Sequence, residues 1–323
     1  MKKGKFIITV DTEGDNLWER ATRRDGCRCI TTENAKYIER FQILCQKYSF
    51  IPTYLTNYEM IMEEEFTGRA KEWNKDNLCE IGMHMHAWNC PPTYQLPFYV
   101  KGHNPYAGEY PKEILLDKLK FLTELICNKI GNAPVSHRGG RWYIDEWYIE
   151  QLIKLGYKFD CTITPGISWK KTIGNRDFGV DYKNYPNRMF YLDKEEYLLE
   201  VPPTIVNLSG KDIICELLSR PFDMDIIQNK KIWLRPNGRN LTEMLNVAKM
   251  ERRKGYLEFM IHSSELMPGG SPNFRDEASI ERLYDDLECL FEKINRSYVG
   301  VALKECRNIF NSYKHNANCK GKY

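Results

Sequence analysis

Three separated stretches of this chain run through apolar residues and then break into ionisable ones. They are Ile7-Ile8-Thr9-Val10 into Asp11-Thr12-Glu13, Glu80-Ile81-Gly82-Met83 into His84-Met85-His86, and Glu258-Phe259-Met260-Ile261 into His262. Residues two apart on a strand face the same side, so Asp11 pairs with Glu13 and His84 with His86. A carboxylate with two imidazoles suits a catalytic divalent metal, usually zinc with cobalt or nickel as alternatives, when one coordination position stays open to water. The leftover carboxylate and His262 are then available as base and acid. One such pair alone would read as an edge salt bridge or a satisfied core histidine. Five such residues at three strand ends reverse that preference.

Chemistry placed this way needs elements that bring the strand ends together. Buried parallel strands read as near-continuous apolar runs, and α/β barrels and open sheets carry their sites at the C-terminal strand edge. Strands are predicted over residues 6–10, 51–55, 80–86, 135–138, 158–162, 198–201, 257–262 and 299–303. Helices are predicted over 34–47, 111–130 with Gly131 as its stop, and 145–155 ended by Gly156. Ile280, Leu283, Leu287, Leu290 and Ile294 mark the apolar stripe of a penultimate helix. Strands alternating with helices argue for βα units around a parallel sheet, and seven or eight strands suggest a barrel. No fixed-period repeat or interdomain linker interrupts it. One domain is expected over 1–311, with an inserted polar loop near 170–185 and a polar tail at 312–323.

The chain has 323 residues, 42% of them hydrophobic, and a formal net charge of +3. That length supports one large core. The basic residues are scattered, so nucleic-acid binding is not expected, whereas an anionic or membrane-attached substrate is compatible. No run approaches the ~18 apolar residues of a bilayer span, so no transmembrane segment is expected and membrane contact would be peripheral. The first strand begins by residue 6 with no signal peptide ahead of it, so the 11 cysteines read as reduced thiols in a cytoplasmic protein. Cys27-Arg28-Cys29 lacks the second pair that a zinc site would need.

Taken in order, Val10-Asp11-Thr12-Glu13-Gly14, Glu80 to His86, Arg138-Gly139-Gly140-Arg141, Phe159-Asp160 and Ile261-His262-Ser263-Ser264 resemble the polysaccharide deacetylase (NodB-homology, carbohydrate esterase family 4-like) family. The resemblance spans roughly residues 5 to 305. It looks closest to the intracellular branch associated with lipopolysaccharide and capsule synthesis, through His84 to Pro92 and His262 to Pro272. It implies a distorted (β/α)7-8 barrel and a metal-dependent hydrolase that removes the acetyl group from an N-acetylated sugar. By the same resemblance Asp11 is the catalytic base, Glu13 the metal-binding acid, His84 the first metal histidine and His262 the general acid. Arg138 would orient the base, and Asp160 would pair with the catalytic histidine and raise its pKa.

Three departures from the family pattern leave alternatives open. Asp11-Thr12-Glu13 replaces adjacent aspartates, so base and ligand are interchangeable between Asp11 and Glu13. Trp88 stands four residues after His84, so the further ligand is His86 or another group such as Asp15. Either Arg138 or Arg141 could hold the base. Trp88, Arg141, Trp142 and Ser263 are the expected substrate-binding residues. Tyr143 and Trp169 also follow strand ends and could stack on a sugar, Ser263 and Ser264 would bond the His262 loop, and His137 is expected to face the other side of its strand. Residues 267–272 could form a substrate loop whose glycines allow close backbone approach. The expected partner is an N-acetylated saccharide, lipid-linked or nucleotide-linked. Hydrolysis of another carbon–nitrogen bond (a formamide or cyclic imide), a glycosidase built on Asp11 and Glu13, and a catalytically inactive saccharide-binding module are the competing readings.

Overall fold

β1 (Gly4–Thr12) is flanked on both sides, and its last seven residues are all buried. The computed structural model describes residues 3–17, 30–97, 104–170, 178–207 and 231–311. The Cys27–Cys29 pair and the tail at 312–323 lie outside these. Along the chain follow α1 (Ala35–Lys47), β2 (Thr53–Thr56), α2 (Tyr58–Met62), α3 (Glu64–Lys75), β3 (Glu80–Met85), α4 (Lys112–Ile130), β4 (Ser136–Gly139) and α5 (Glu146–Lys154). β5 (Phe159–Asp160), β6 (Phe190–Tyr191), β7 (Leu199–Glu200), β8 (Ile205–Asn207), β9 (Lys231–Trp233), α6 (Leu241–Met250), β10 (Tyr256–His262), α7 (Glu277–Asn295) and β11 (Tyr298–Val301) complete the described set.

Nine strands form one sheet in the order β10-β1-β2-β3-β4-β5-β7-β6, with β11 beside the first half of β1. Every pairing is parallel except β6 with β7. β8 and β9 make a separate antiparallel ribbon. Its flanks reach the free edge of β10, where Thr204 N donates to Glu258 O (3.2 Å) and Met260 N to Leu234 O (3.3 Å).

The sheet is curled into a half-barrel. β4 stands three strands from β1, which in a flat sheet would separate them by about 14 Å, yet the Arg138 guanidinium on β4 touches Asp11 on β1 and Glu258 on β10. The alternation of side chains then sorts the core. Ile8, Val10, Tyr54, Met83, Leu257 and Phe259 face the helices and join one large cluster with Phe41, Leu122 and Leu287. Ile7, Leu55, Phe159, Leu199 and Val201 face the concave side in a second cluster. The stripe of α7 is buried as its spacing predicts, with Ile280, Leu283, Leu287, Leu290 and Ile294 all in the core. Burying each such side chain is worth about 1.5–3 kcal/mol.

The predicted strands and helices occur within a few residues of their expected bounds. α2, α3, α6, β6, β8 and β9 were not anticipated. The two- and three-residue strands carry too few residues for a period to show, and α3 and α6 bury only Phe66, Thr67, Ala70 and Glu243, Met244, Val247. The seven described cysteines are free. Among the described residues no helix is long and apolar enough to cross a membrane.

Candidate metal centre and active site

The C-terminal ends of β1, β3 and β10 meet at one rim. One ligand atom each from Glu13, His84 and His86 lies within 4.8 Å of the others, and all three side chains are buried. Glu13 Oε2 is 3.4 Å from His84 Nε2 and 3.2 Å from His86 Nε2. His84 Nδ1 lies 3.0 Å from the Arg138 carbonyl, which can only accept, so Nδ1 carries a proton and Nε2 is the nitrogen turned toward Glu13. The His86 ring stacks on Trp88, with centroids 4.2 Å apart and planes 25° apart. One carboxylate and two imidazoles converging in a buried pocket are a donor set that fits a catalytic zinc, cobalt or nickel ion.

Asp11 sits beside this cluster under different control. Arg138 Nη1 donates to Asp11 Oδ1 at 2.5 Å, and Nη2 donates to Glu258 Oε1 (2.9 Å) and Thr9 Oγ1 (2.8 Å). Burial alone would raise the Asp11 pKa, but the charges of Arg138, His84 and His262 outweigh it and hold this carboxyl well below the usual carboxylate range. Glu258 goes the other way, pushed up by burial despite Arg138. The geometry separates the residues that the spacing leaves as alternatives. Glu13 stands with the imidazoles and Asp11 with the arginine. Arg138 holds Asp11, whereas the Arg141 guanidinium lies 3.7 Å over the Tyr106 ring and also donates to the Asn104 carbonyl. Asp15 is committed to the Thr31 hydroxyl and to Asn34 N (3.0 Å), outside the three-ligand cluster.

His262 faces both carboxylates, its Nε2 lying 3.6 Å from Asp11 Oδ2 and 3.8 Å from Glu13 Oε1. On its other side Nδ1 meets Glu265 Oε2 at 3.2 Å and Arg235 Nη2 at 3.0 Å. Burial would raise Glu265, but Arg235 and His262 bring it down to about 2.

Two expected roles are corrected by the register. Asp160 does not pair with His262. It pairs in register with His137, not Arg138, and so takes the outer face, where His137 Nδ1 and Asp160 Oδ2 are 2.6 Å apart. His137 therefore does face away from Arg138, with Tyr148 Oη at 3.0 Å from its Nε2. Glu200, opposite Asp160 on β7, continues this buried row, and burial together with Asp160 pushes its carboxyl well up. Ser263, expected at the substrate, is fully buried. Its hydroxyl bonds the backbone of Glu13 on both sides, accepting from N and donating to O at 3.1 Å each, and Asn34 Nδ2 bridges Ser263 Oγ (2.8 Å) and Glu13 O (2.7 Å). Ser263 and Asn34 thus fix the Glu13 backbone.

Trp142 is half-buried at the end of β4, stacked on Trp169 (6.0 Å, 9°) and edge-on to Trp233 (5.6 Å), with the Arg138 guanidinium 5.3 Å from its ring centroid. Arg141 and Trp142 both take left-handed backbone, φ 57° and 58°, which costs roughly 1–3 kcal/mol at each non-glycine residue. Tyr143 turns instead toward Asp145, to which its hydroxyl donates at 2.8 Å. The 267–272 loop uses its glycines on itself: a Cβ at Gly270 would meet Ser264 O at 2.2 Å.

Arg235, Glu258, Glu265, Asn34 and Asn57 belong to the site but were not singled out from sequence. Glu258 and Glu265 could have been, since Glu258 has the strand parity of His262 and Glu265 follows it by three. Asn57 Nδ2 lies 2.6 Å from Glu59 Oε1 and 3.5 Å from His86 Nδ1, contacts that no local pattern announces.

Gly140 closes the site from below. A Cβ there would meet His86 Cδ2 at 2.3 Å and Met85 O at 2.4 Å. Gly140→Ala should therefore push the His86 ring out of line and weaken metal affinity by about 10–100-fold, the range seen when ligand orientation is disturbed. Titration of the purified variant with a metallochromic competitor checks this, and unchanged affinity would show that the ring has room to move.

A curled parallel α/β half-barrel with a buried carboxylate–imidazole cluster at its C-terminal rim is the class of protein that fold and site define. No family model matches the chain, and no curated protein matches it at a significant level. Solved structures do share its fold. A Mycobacterium smegmatis protein provisionally assigned as a polysaccharide deacetylase superposes with a TM-score of 0.55 at 11% identity, over 97% of this chain and 92% of that one. A 4-alpha-glucanotransferase from Thermococcus litoralis superposes with a TM-score of 0.52 at 12% identity, over 94% of this chain but 39% of that one. Two such different activities on one fold leave the chemistry to be argued from the site.

Proposed function

We propose that this protein is a metal-dependent hydrolase that removes the N-acetyl group from an N-acetylated sugar in a cytoplasmic precursor of a cell-surface polysaccharide. The observation that carries the reading is the convergence of Glu13, His84 and His86 beside an arginine-held Asp11 and a His262 held by Glu265 and Arg235. The fold shared with the provisionally assigned polysaccharide deacetylase supports it.

Glu13, His84 and His86 would hold the ion. When bound, a divalent metal supplies Lewis acidity that polarises the amide carbonyl and lowers the pKa of water to about 7. Asp11, kept as a carboxylate by Arg138, accepts the proton of the attacking water. His262 gives a proton from Nε2 to the departing amine, which is a poor leaving group unless it leaves neutral. Glu265 at Nδ1 suits both states of the ring. Giving up the Nε2 proton leaves the neutral ring protonated at Nδ1, where Glu265 accepts before and after the transfer, and Arg235 pairs with Glu265. Trp88, beside His86, and Trp142, beside Arg138, are aromatic side chains suited to the apolar face of a sugar ring.

The test combines elemental analysis with acetate release from a panel of N-acetylated saccharides. The wild type should carry near-stoichiometric metal and lose acetate release on chelation, and His84→Ala/His86→Ala should lose both. A metal-free wild type that stays inert with added zinc, cobalt and nickel would sink the proposal.

A further inference from the structure

A half-open hollow of about 470 Å³ is lined in part by Asn237, Arg239, Asn273, Arg275, Asp276 and Arg282. That size lies within the ~300–1,000 Å³ of small-molecule sites. Its charge is lopsided in a chain whose overall balance is nearly even, 47 basic against 44 acidic residues. Three arginines face one carboxylate, and that carboxylate is already engaged, because Asp276 Oδ1 accepts from Ser279 N at 2.7 Å as the cap of α7. Among the described residues no carboxylate stands within ion-pair distance of Arg275 or Arg282. Among the described residues Arg275 makes one hydrogen bond, Nε to the Pro272 carbonyl (3.0 Å), and its two terminal nitrogens make none. Guanidinium forks match the paired oxygens of a phosphate.

The hollow is framed by the two segments that build the acid side of the catalytic site. Asn237 and Arg239 follow Arg235 closely, and Asn240 ties them together by accepting from Asn237 N (2.9 Å) and donating to Arg235 O (2.8 Å). Arg275 and Asp276 end the loop that begins at His262, folded back by Gly269 N donating to Phe274 O at 2.9 Å.

We propose that this arginine hollow binds the phosphate or diphosphate group of a glycosyl phosphate, so that the enzyme takes its N-acetylated sugar while the sugar is still joined to a phosphorylated carrier. The carrier assignment rests on the deacetylase reading; the anion site stands on its own geometry. Nucleotide and lipid carriers present the same diphosphate, and the test separates them.

Isothermal titration with inorganic pyrophosphate should show saturable binding to the wild type. Arg275→Gln/Arg282→Gln should weaken it at least ~10-fold, as expected when charge-assisted bidentate contacts are lost, with an unchanged melting temperature because both side chains are exposed. Arg296→Gln, on the far end of α7, should leave binding intact. Uridine diphosphate and farnesyl diphosphate are then compared: tighter binding of either, lost in the double variant, supports the site and names the carrier. No pyrophosphate binding, binding that survives the double variant, or sulfate binding of equal strength would overturn the proposal. Because no turnover is needed, pyrophosphate binding by a protein that releases no acetate would spare this site and defeat the deacetylase reading alone. Where acetate release is measurable, the double variant should raise KM for N-acetylglucosamine 1-phosphate and leave KM for an unphosphorylated chito-oligosaccharide unchanged.

Discussion

Asp11→Asn is expected to lower the kcat for acetate release by about 10²–10⁴-fold, the usual worth of a positioned general base, while leaving bound metal unchanged. The substitution keeps the shape of the side chain and an oxygen for the Arg138 bond, but removes the capacity to take a proton. Metal content is the decisive companion measurement. Asp11 stands with Arg138, whereas Glu13 lies 3.2–3.4 Å from both imidazoles, so Glu13→Gln should lose metal and Asp11→Asn should not. Metal loss in Asp11→Asn would exchange the two roles. The pH dependence follows from the same geometry. Arg138 keeps Asp11 below its ordinary pKa of 3.8, so the base remains ionised through mild acid. An acid limb in kcat/KM between about pH 5 and 7 would therefore report another group.

The largest effect on stability is expected at Arg138. This side chain is fully buried and bridges Asp11 and Glu258, which are 2% and 0% exposed, and its Nε donates to the Cys161 carbonyl at 3.0 Å. Arg138→Leu removes the cation and leaves two carboxylates facing each other in the concave core. Breaking a buried pair by deleting one partner costs about 3–5 kcal/mol. Urea denaturation should show that loss at pH 7, and Arg138→Leu/Glu258→Gln should recover part of it, since one uncompensated charge has gone. The sign with pH is fixed by Asp11. Its folded pKa is depressed, so the stabilisation it gives is present above the unfolded value near 3.8 and is lost as pH falls toward the folded one. The gap between wild type and Arg138→Leu should therefore narrow in acid. A loss under about 1 kcal/mol at pH 7 would mean that water reaches the pair and that the concave side is less sealed than its burial implies.

These two residues also show how far the amino-acid sequence can be read unaided. Asp11 announces itself, as do Glu13, His84, His86 and His262, because each ends a run of apolar residues and because pleat alternation is a local property of two or three residues. The same local logic put His137 and Arg138 on opposite faces. The motif order pointed to the curled α/β fold, and the eight predicted runs became β1, β2, β3, β4, β5, β7, β10 and β11. Residue type and parity determined that much, since both survive any arrangement of the strands.

Partner choice did not. That Arg138 holds Asp11 depends on the sheet curling until β4 faces β1 and β10, a contact between residues 127 apart in the chain. That Asp160 serves His137 and not His262 depends on the register of β4 with β5, where a shift of one residue would have turned it inward. Ser263 bonds the Glu13 backbone only because β1 and β10 are neighbours in register, and Arg235 reaches His262 and Glu265 only because the segment after β9 folds against the end of β10. Which groups could do chemistry was written in spacing and type. Which of them act on one another was decided by curl and register, because hydrogen bonds and ion pairs act over a few ångströms and only the tertiary fold brings residues so distant in sequence that close.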